Sequence, residues 1–193
     1  MSHGAGSASP WLLRWTHLIA TGGSVLDVAA GSGRHTRWLA ERGFSVTAID
    51  RDAPAMQTLA DCAETIVADI ERDPWPLVGR TFDAVLVTNY LWRPLFLDLV
   101  AAVAPGGVLV YETFAAGNES VGRPARPEFL LAAGELLVAV PGLRIVAYED
   151  GFLDDPQRFV QRLVAVRESP GASPARHLLT GPGGDAGSLE STG

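Results

Sequence analysis

The sequence has a single cysteine, Cys62, in 193 residues, so no intrachain disulfide can form and the fold has to be held by its core. As a lone small side chain, Cys62 reads as a packing residue rather than a nucleophile. Histidine is also sparse: His3, His17, His35 and His177 are scattered, and none lies at metal-ligand spacing from a cysteine or carboxylate. No metal is expected. Basic charge is in deficit, with 15 Lys and Arg against 22 Asp and Glu and a formal net charge of −7. Such a surface repels a phosphate backbone, so nucleic acid is not the expected partner. Long hydrophobic runs are missing as well. The most apolar stretch, 95–103, is interrupted by Asp98 and is too short to span a bilayer. The opening "MSHGAGSASPW" lacks the basic segment and apolar run of a secretory signal. A cytoplasmic protein with no membrane partner is the expectation, and no internal repeat is visible.

What is present is an ordinary globular composition, 47% hydrophobic with five Trp. The length suits one domain, placed at 9–168 between a flexible N-terminus, 1–8, and a Gly, Pro, Ser and Ala-rich tail, 169–193, expected to be disordered. In "SASPWLLRWTHLIA" Ser9 is a helix N-cap, Pro10 suits the first helical position, and Leu12, Trp15, Leu18 and Ile19 share one face. "SVLDVAA" (24–30) is a first strand with the continuous apolar run of a strand buried on both faces. A helix starts at Gly33 and closes at Gly43. The alternation continues with a strand at 44–50, a helix capped near Asp52, strands at 64–68 and 82–90, a helix from Pro94, and a strand at 107–114. Strand and helix alternating at these lengths give a mostly parallel α/β sheet with helices on both faces. After the loop 115–127, a helix containing Gly134 is expected over 128–140. Two strands, 143–150 and 158–168, then follow, joined by a linker too short for a helical crossover. The sheet should therefore end in an antiparallel hairpin.

Ligands of open parallel sheets bind beyond the carboxyl ends of the strands, so the residues just after each strand define the candidate site. These are Gly31 and Gly33, Asp50, Asp69, and Thr88, Asn89 and Tyr90. Glycine lets a ligand approach the backbone, and an acid at the end of the second strand can accept both ribose hydroxyls. Two ligands meet this description, a dinucleotide held by its pyrophosphate and a nucleoside with a charged tail. The dinucleotide pattern G-x-G-x-x-G needs a third small residue where Thr36 stands. Asp27, inside the first strand, would oppose a pyrophosphate but suits an ammonium or sulfonium centre. Asp69 can accept from an adenine amine while Ile70 covers the base.

The stretches "VLDVAAGSGRHTRWLAERGFSVTAID", "VADI", "FDAVLVTNYL" and "APGGVLVYETF", with the closing hairpin, resemble the successive motifs of class I S-adenosylmethionine-dependent methyltransferases. The likeness runs from residue 24 to about 166, and "FLLAAGELL" with "GLRIVAYEDG" resembles the tellurite-resistance-type small-molecule branch. The resemblance implies a Rossmann-like, seven-stranded sheet with an antiparallel last strand, S-adenosylmethionine as cofactor, and methyl transfer to a small molecule. It places Asp27, Ala29, Gly31 and Gly33 around the methionine moiety and Asp50 on the ribose. Arg51 then flanks adenine, Asp69 and Ile70 read its edge, and Thr88 and Asn89 line the floor below the sulfonium. The chain departs from the family in having Ala29 and Ala30 where Gly or Cys is common. It also lacks the "[DN]-P-P-[FY]" motif of enzymes that methylate exocyclic amines.

Methyl transfer from a sulfonium is an in-line displacement that needs alignment and dryness more than a base. If a proton must leave, His35, Tyr90 and Glu112 are the groups near the site able to take it, with His35 otherwise read as a helix-end surface residue. Tyr90 and Trp92 are candidate walls of the acceptor pocket, and Arg93, Arg123 and Arg126 candidate anion holders. Trp11 and Trp15 fit either a core position or an aromatic lid. An NAD-dependent oxidoreductase and a non-catalytic nucleotide-binding protein remain the alternatives.

Overall fold

The computed structural model describes residues 6–169, 171 and 175–181. Seven strands form one sheet: β1 (Ser24–Val28), β2 (Ser45–Asp50), β3 (Glu64–Val67), β4 (Phe82–Thr88), β5 (Val103–Phe114), β6 (Arg144–Asp154) and β7 (Gln157–Val166). Their order is β3-β2-β1-β4-β5-β7-β6. The first five pair in parallel, and β7 lies antiparallel to both β5 and β6. The order reverses between β1 and β4, which places the switch point, and with it a crevice, at the carboxyl ends of these two strands. The seven-stranded mixed sheet and its terminal antiparallel hairpin are as the sequence led one to expect.

Both faces are covered because successive strand residues point to opposite sides. Val25, Leu86, Val110 and Val164 meet Trp11, Leu12 and Trp15 of α1 (Pro10–Trp15) and Leu39 of α2 (Arg34–Ala40). On the other face Leu26, Val85, Leu109 and Leu163 meet Leu99 of α4 (Phe96–Ala101) and Leu136 of α5 (Glu135–Ala139). Burial of each such large side chain contributes about 1.5–3 kcal/mol. The short α3 (Ala53–Gln57) packs Met56, with Leu59 beyond it, against Ala48 and Ala30.

Local chemistry sets the helix starts. The Ser9 hydroxyl accepts from Trp11 N–H with Pro10 next to it, and Asp52 caps α3 by accepting from Ala55 N–H. The first helix is shorter than its periodicity suggests. It gives way to a 3-10 turn at Thr16–Leu18, where the Thr16 hydroxyl donates to Leu12 O at 2.6 Å.

The region 128–140 is not one helix. Leu131 N–H donates to Phe114 O at 3.0 Å, and Leu131 O accepts from Ala116 N–H at 2.9 Å, so this stretch is drawn out beside the end of β5. Gly134 then adopts φ +71°, and α5 begins after it. The segment expected to link the last two strands is itself strand up to Asp154, leaving a tight turn at residues 155–156.

Most of the expected tails lies outside the described residues. Within them, Ala8 is buried, and Leu178 O lies 2.9 Å from His17 Nε2. No helix among the described residues is long and apolar enough to cross a membrane.

Candidate active site

The carboxyl ends of β1, β2 and β4 with the loop after β3 enclose a cavity of about 300 Å³, lined by Ala29, Asp50, Arg51, Asp69, Ile70 and Tyr90, with Ala68 and Glu71. Six of the residues singled out in the sequence therefore share one cavity. Asp50 ties two loops at its mouth, accepting from Gly31 N–H at 2.8 Å through Oδ2 and from Asp52 N–H at 2.9 Å through Oδ1. Each carboxylate oxygen keeps a lone pair for further donors. The Asp69 carboxylate accepts from Glu71 N–H at 3.2 Å and so fixes the turn that carries Ile70.

The two glycines after β1 serve different ends. A Cβ at Gly31 would meet nothing within 4 Å, so the space before it is open to a ligand. A Cβ at Gly33 would lie 2.3 Å from Leu59 Cδ2. Gly33 therefore allows α2 to start against the segment following α3. Both adopt positive φ.

Ala29 (φ +54°) and Asn89 (φ +57°) are the two non-glycine residues in the left-handed region among the described residues. They follow β1 and β4, on either side of the switch point, and strain of this kind clusters at ligand sites. At Ala29 this backbone is one that glycine adopts freely and alanine only with strain.

Asp27 lies under the glycine turn, 1% exposed, and accepts from the Thr36 hydroxyl at 2.7 Å. Burial pushes its carboxyl up to about 6 against the pull of the Thr36 hydrogen bonds, leaving it largely ionised at neutral pH. Thr88, at the end of β4, has a buried hydroxyl with no partner among the described residues, and Asn89 N–H is held by Glu112 O at 2.8 Å.

The acceptor-side candidates fare differently. His35 is 4% exposed, not a surface residue, and its Nε2 accepts from Ser9 N–H at 3.2 Å. Burial, reinforced by Arg34, lowers its pKa to about 4, so His35 is neutral and engaged in holding the chain before α1 rather than poised as a base. Arg93 is not available to bind an anion. It forms a fork with Glu135 at 2.6 and 2.9 Å and donates to Glu128 O and Leu130 O at 2.8 and 2.9 Å. Arg123 is exposed, and Arg126 pairs loosely with Glu128 at 3.8 Å. Trp11 and Trp15 are core residues, each 1% exposed, and form no lid.

Tyr90 and Trp92 are half-buried against the larger core cluster. Burial and the acid groups Glu71 and Asp69 push the Tyr90 phenol above its usual range. Glu112, 2% exposed, accepts from the Ser9 hydroxyl at 3.0 Å and from Arg162 Nη1 at 3.4 Å. Sequence reasoning missed Ser9 as a partner, and also Glu71, Arg158 and Arg162. The arginines stand four apart on a strand and so face one side, a spacing that carries no signal until the partner strands are known. Among the described residues no cluster of His, Cys, Asp and Glu is arranged to hold a metal.

A family model described as "Methyltransferase domain" matches residues 25–107, the span that supplies this cavity. That span is 83 of the chain's 193 residues, and over it the sequence is similar to a methyltransferase domain. Outside that span the relatives agree in fold. The malonyl-[acyl-carrier protein] O-methyltransferase of Salmonella typhimurium is 34% identical over 103 residues, covering 49% of this chain and 40% of that protein. The chain thus matches two fifths of that relative's length. TehB from Haemophilus influenzae superposes with TM-score 0.63 at 18% identity, over 76% of this chain and 58% of TehB. A SAM-dependent methyltransferase from Methanosarcina mazei superposes with TM-score 0.67 at 15% identity, over 85% of this chain and 100% of that one. These likenesses place the methyltransferase domain on a Rossmann-like sheet.

Proposed function

We propose that the chain moves the methyl group of S-adenosylmethionine to a small-molecule acceptor by in-line displacement, as a cytoplasmic enzyme whose working domain is 9–168. The observation that carries this reading is Asp27. A buried carboxylate under an open glycine turn suits a cationic ligand and opposes a pyrophosphate, which argues against the NAD-dependent alternative. The residues fit the cofactor: Asp27 with Ala29 and Gly31 takes the methionine end, and Asp50 the ribose hydroxyls. Asp69 and Ile70 read the adenine edge beside Arg51, and Thr88 and Asn89 form the floor. When bound, the cofactor supplies an electrophilic methyl on a sulfonium whose leaving group is a neutral thioether.

The chain's own residues orient and dry the site. Ile70, 7% exposed, closes one wall, and Tyr90 lines the cavity while packing against the core. With His35 engaged by Ser9, Glu112 engaged by Ser9 and Arg162, and Tyr90 hard to ionise, none of the three candidate bases is free to take a proton, and alignment does the catalysis. The Salmonella relative is an O-methyltransferase, which is in keeping with an oxygen acceptor here.

The test is incubation with methyl-labelled S-adenosylmethionine and a small-molecule cell extract. Label should enter a small product, and Asp50→Ala should abolish the transfer. Label confined to protein or nucleic acid, or no transfer together with tight NAD binding, would overturn the reading.

A further inference from the structure

The described C-terminal segment, 175–181, folds back onto the 3-10 turn at Thr16–Leu18, and one imidazole makes the join. His17 Nδ1 lies 3.0 Å from Arg14 O, and its Nε2 lies 2.9 Å from Leu178 O, 161 residues further along the chain. Both partners are carbonyl oxygens, which only accept. A neutral imidazole has a single N–H and can serve one of them, leaving a ring lone pair against the lone pairs of the other. Only the imidazolium donates to both. The neighbouring ring suits the charged form as well, since the Trp15 indole is stacked on His17 with centroids 5.9 Å apart at 27°, and an aromatic face attracts a cation at that distance. The segment passes close over this join. A Cβ at Gly181 would lie 3.3 Å from His17 Nδ1 and 3.6 Å from Arg14 O.

The same segment borders a groove of about 730 Å³ whose apolar lining is Leu13, Ile19, Trp38 and Phe44. Gly22 and Phe44, which also line it, stand just before β1 and β2, so the groove lies at the amino ends of the strands, opposite the cofactor cavity. The charged and titratable groups around His17 come from four elements. Arg14 of α1 lies over the Trp11 and Trp15 rings and is paired at 2.9 Å with Glu149 of β6. Arg42, just after α2, lies over the Trp38 ring at 3.9 Å with Glu41 4.0 Å away. Each arginine thus has a carboxylate beside it, which offsets the repulsion it exerts on a second proton at His17. The segment itself brings exposed Arg176, and His177, whose buried Nε2 has no partner among the described residues.

We propose that His17 is a pH-sensitive latch: protonated, it holds the segment 175–181 against the 3-10 turn, and neutral, it releases the segment and opens the apolar groove. Histidine is the side chain that changes charge between pH 5 and 8, so the latch works in that range. The sign follows from the donors. Docking favours the doubly protonated ring, so its contribution is full on the acid side and fades as pH rises. The latch stands at the other end of the sheet from the cavity and holds whatever chemistry the cavity performs.

The experiment places a nitroxide on the full chain at Thr180→Cys, with Cys62→Ser to leave one thiol, and follows the immobile and mobile parts of its spectrum from pH 5.5 to pH 8. The immobile-to-mobile ratio should fall about five- to tenfold, the size of one charged hydrogen bond at a half-exposed position. His17→Gln, which is neutral at every pH, should give a low ratio with no pH dependence, at an unchanged melting temperature at pH 8. His177→Gln should leave the fall in place. In the unlabelled chain the nuclear Overhauser contact between the His17 ring and Gly181 should weaken in step with the ratio. A ratio indifferent to pH, a fall that survives in His17→Gln, or one that vanishes in His177→Gln would overturn the proposal.

Discussion

The proposed cofactor side and the proposed acceptor side of the crevice are built by opposite rules. On the cofactor side the polar groups belong to strand ends and the turns directly after them: Asp27 on β1, Asp50 on β2, and Asp69 one residue past Ala68, whose N–H still bonds Asp50 O. Their hydrogen bonds within the chain are short-range or between neighbouring strands, and Asp50 and Asp69 line the cavity directly. On the acceptor side the polar groups are tied together across long stretches of sequence. Arg93 reaches Glu135, Ser9 reaches both His35 and Glu112, and Arg162 reaches Glu112.

The largest expected effect that sharpens this comparison lies at the two glycines. Gly33→Ala places a Cβ inside Leu59 in a left-handed backbone and should destabilise the fold by about 3 kcal/mol or more in urea unfolding, with Leu59→Ala recovering part of the loss. Gly31→Ala meets no such neighbour and should cost only about 1–2 kcal/mol of backbone strain while weakening cofactor binding. Equal costs for the two would erase the distinction between a packing glycine and a ligand-facing one.

Next in size, Asp50→Ala should weaken S-adenosylhomocysteine binding by about 100-fold, equivalent to losing two charged hydrogen bonds, as read by calorimetry. The smaller third effect is in pH. Asp27 has its carboxyl raised to about 6 in the fold from an ordinary 3.8, so its neutral form is the one the fold favours. Its contribution to the stability of the free protein is present below the ordinary value and is lost as pH rises through about 6. A cationic ligand needs the opposite form. Cofactor affinity should fall about tenfold between pH 7 and pH 5, as the carboxylate protonates. Asp27→Asn should flatten that profile, weaken binding at pH 7 and stabilise the free protein above pH 6. A steep profile surviving in Asp27→Asn would move the titration elsewhere. The smallest effect belongs to Arg93→Ala. Its side chain is 40% exposed, so the loss should be about 1 kcal/mol in stability, with cofactor affinity unchanged.

The same contrast decides what could be read from the sequence. The strand order follows from β-α alternation and from a final linker too short for a crossover. The cavity residues follow from taking the first positions after each strand. Gly33 was legible as a glycine but not as one packed on Leu59, because that contact joins two α-β units. His35 looks exposed from its place in the first turn of a helix; only the chain before α1, folded back on it, makes it buried. Arg93 carries the charge expected of an anion site, yet Glu135 lies 42 residues away along the chain, and only the drawn-out stretch around Leu131 brings it near. That stretch was itself hidden, because Leu130 and Leu131 continue a helical spacing that hydrogen bonds to the end of β5 override.

The most direct test of the account is a calorimetric titration of the wild-type chain and Asp50→Ala with S-adenosylmethionine, S-adenosylhomocysteine and NAD. The account predicts binding of the first two by the wild type, strong weakening in the variant, and no binding of NAD. Binding of NAD in place of the sulfonium cofactor, or S-adenosylmethionine binding that Asp50→Ala leaves intact, would contradict it.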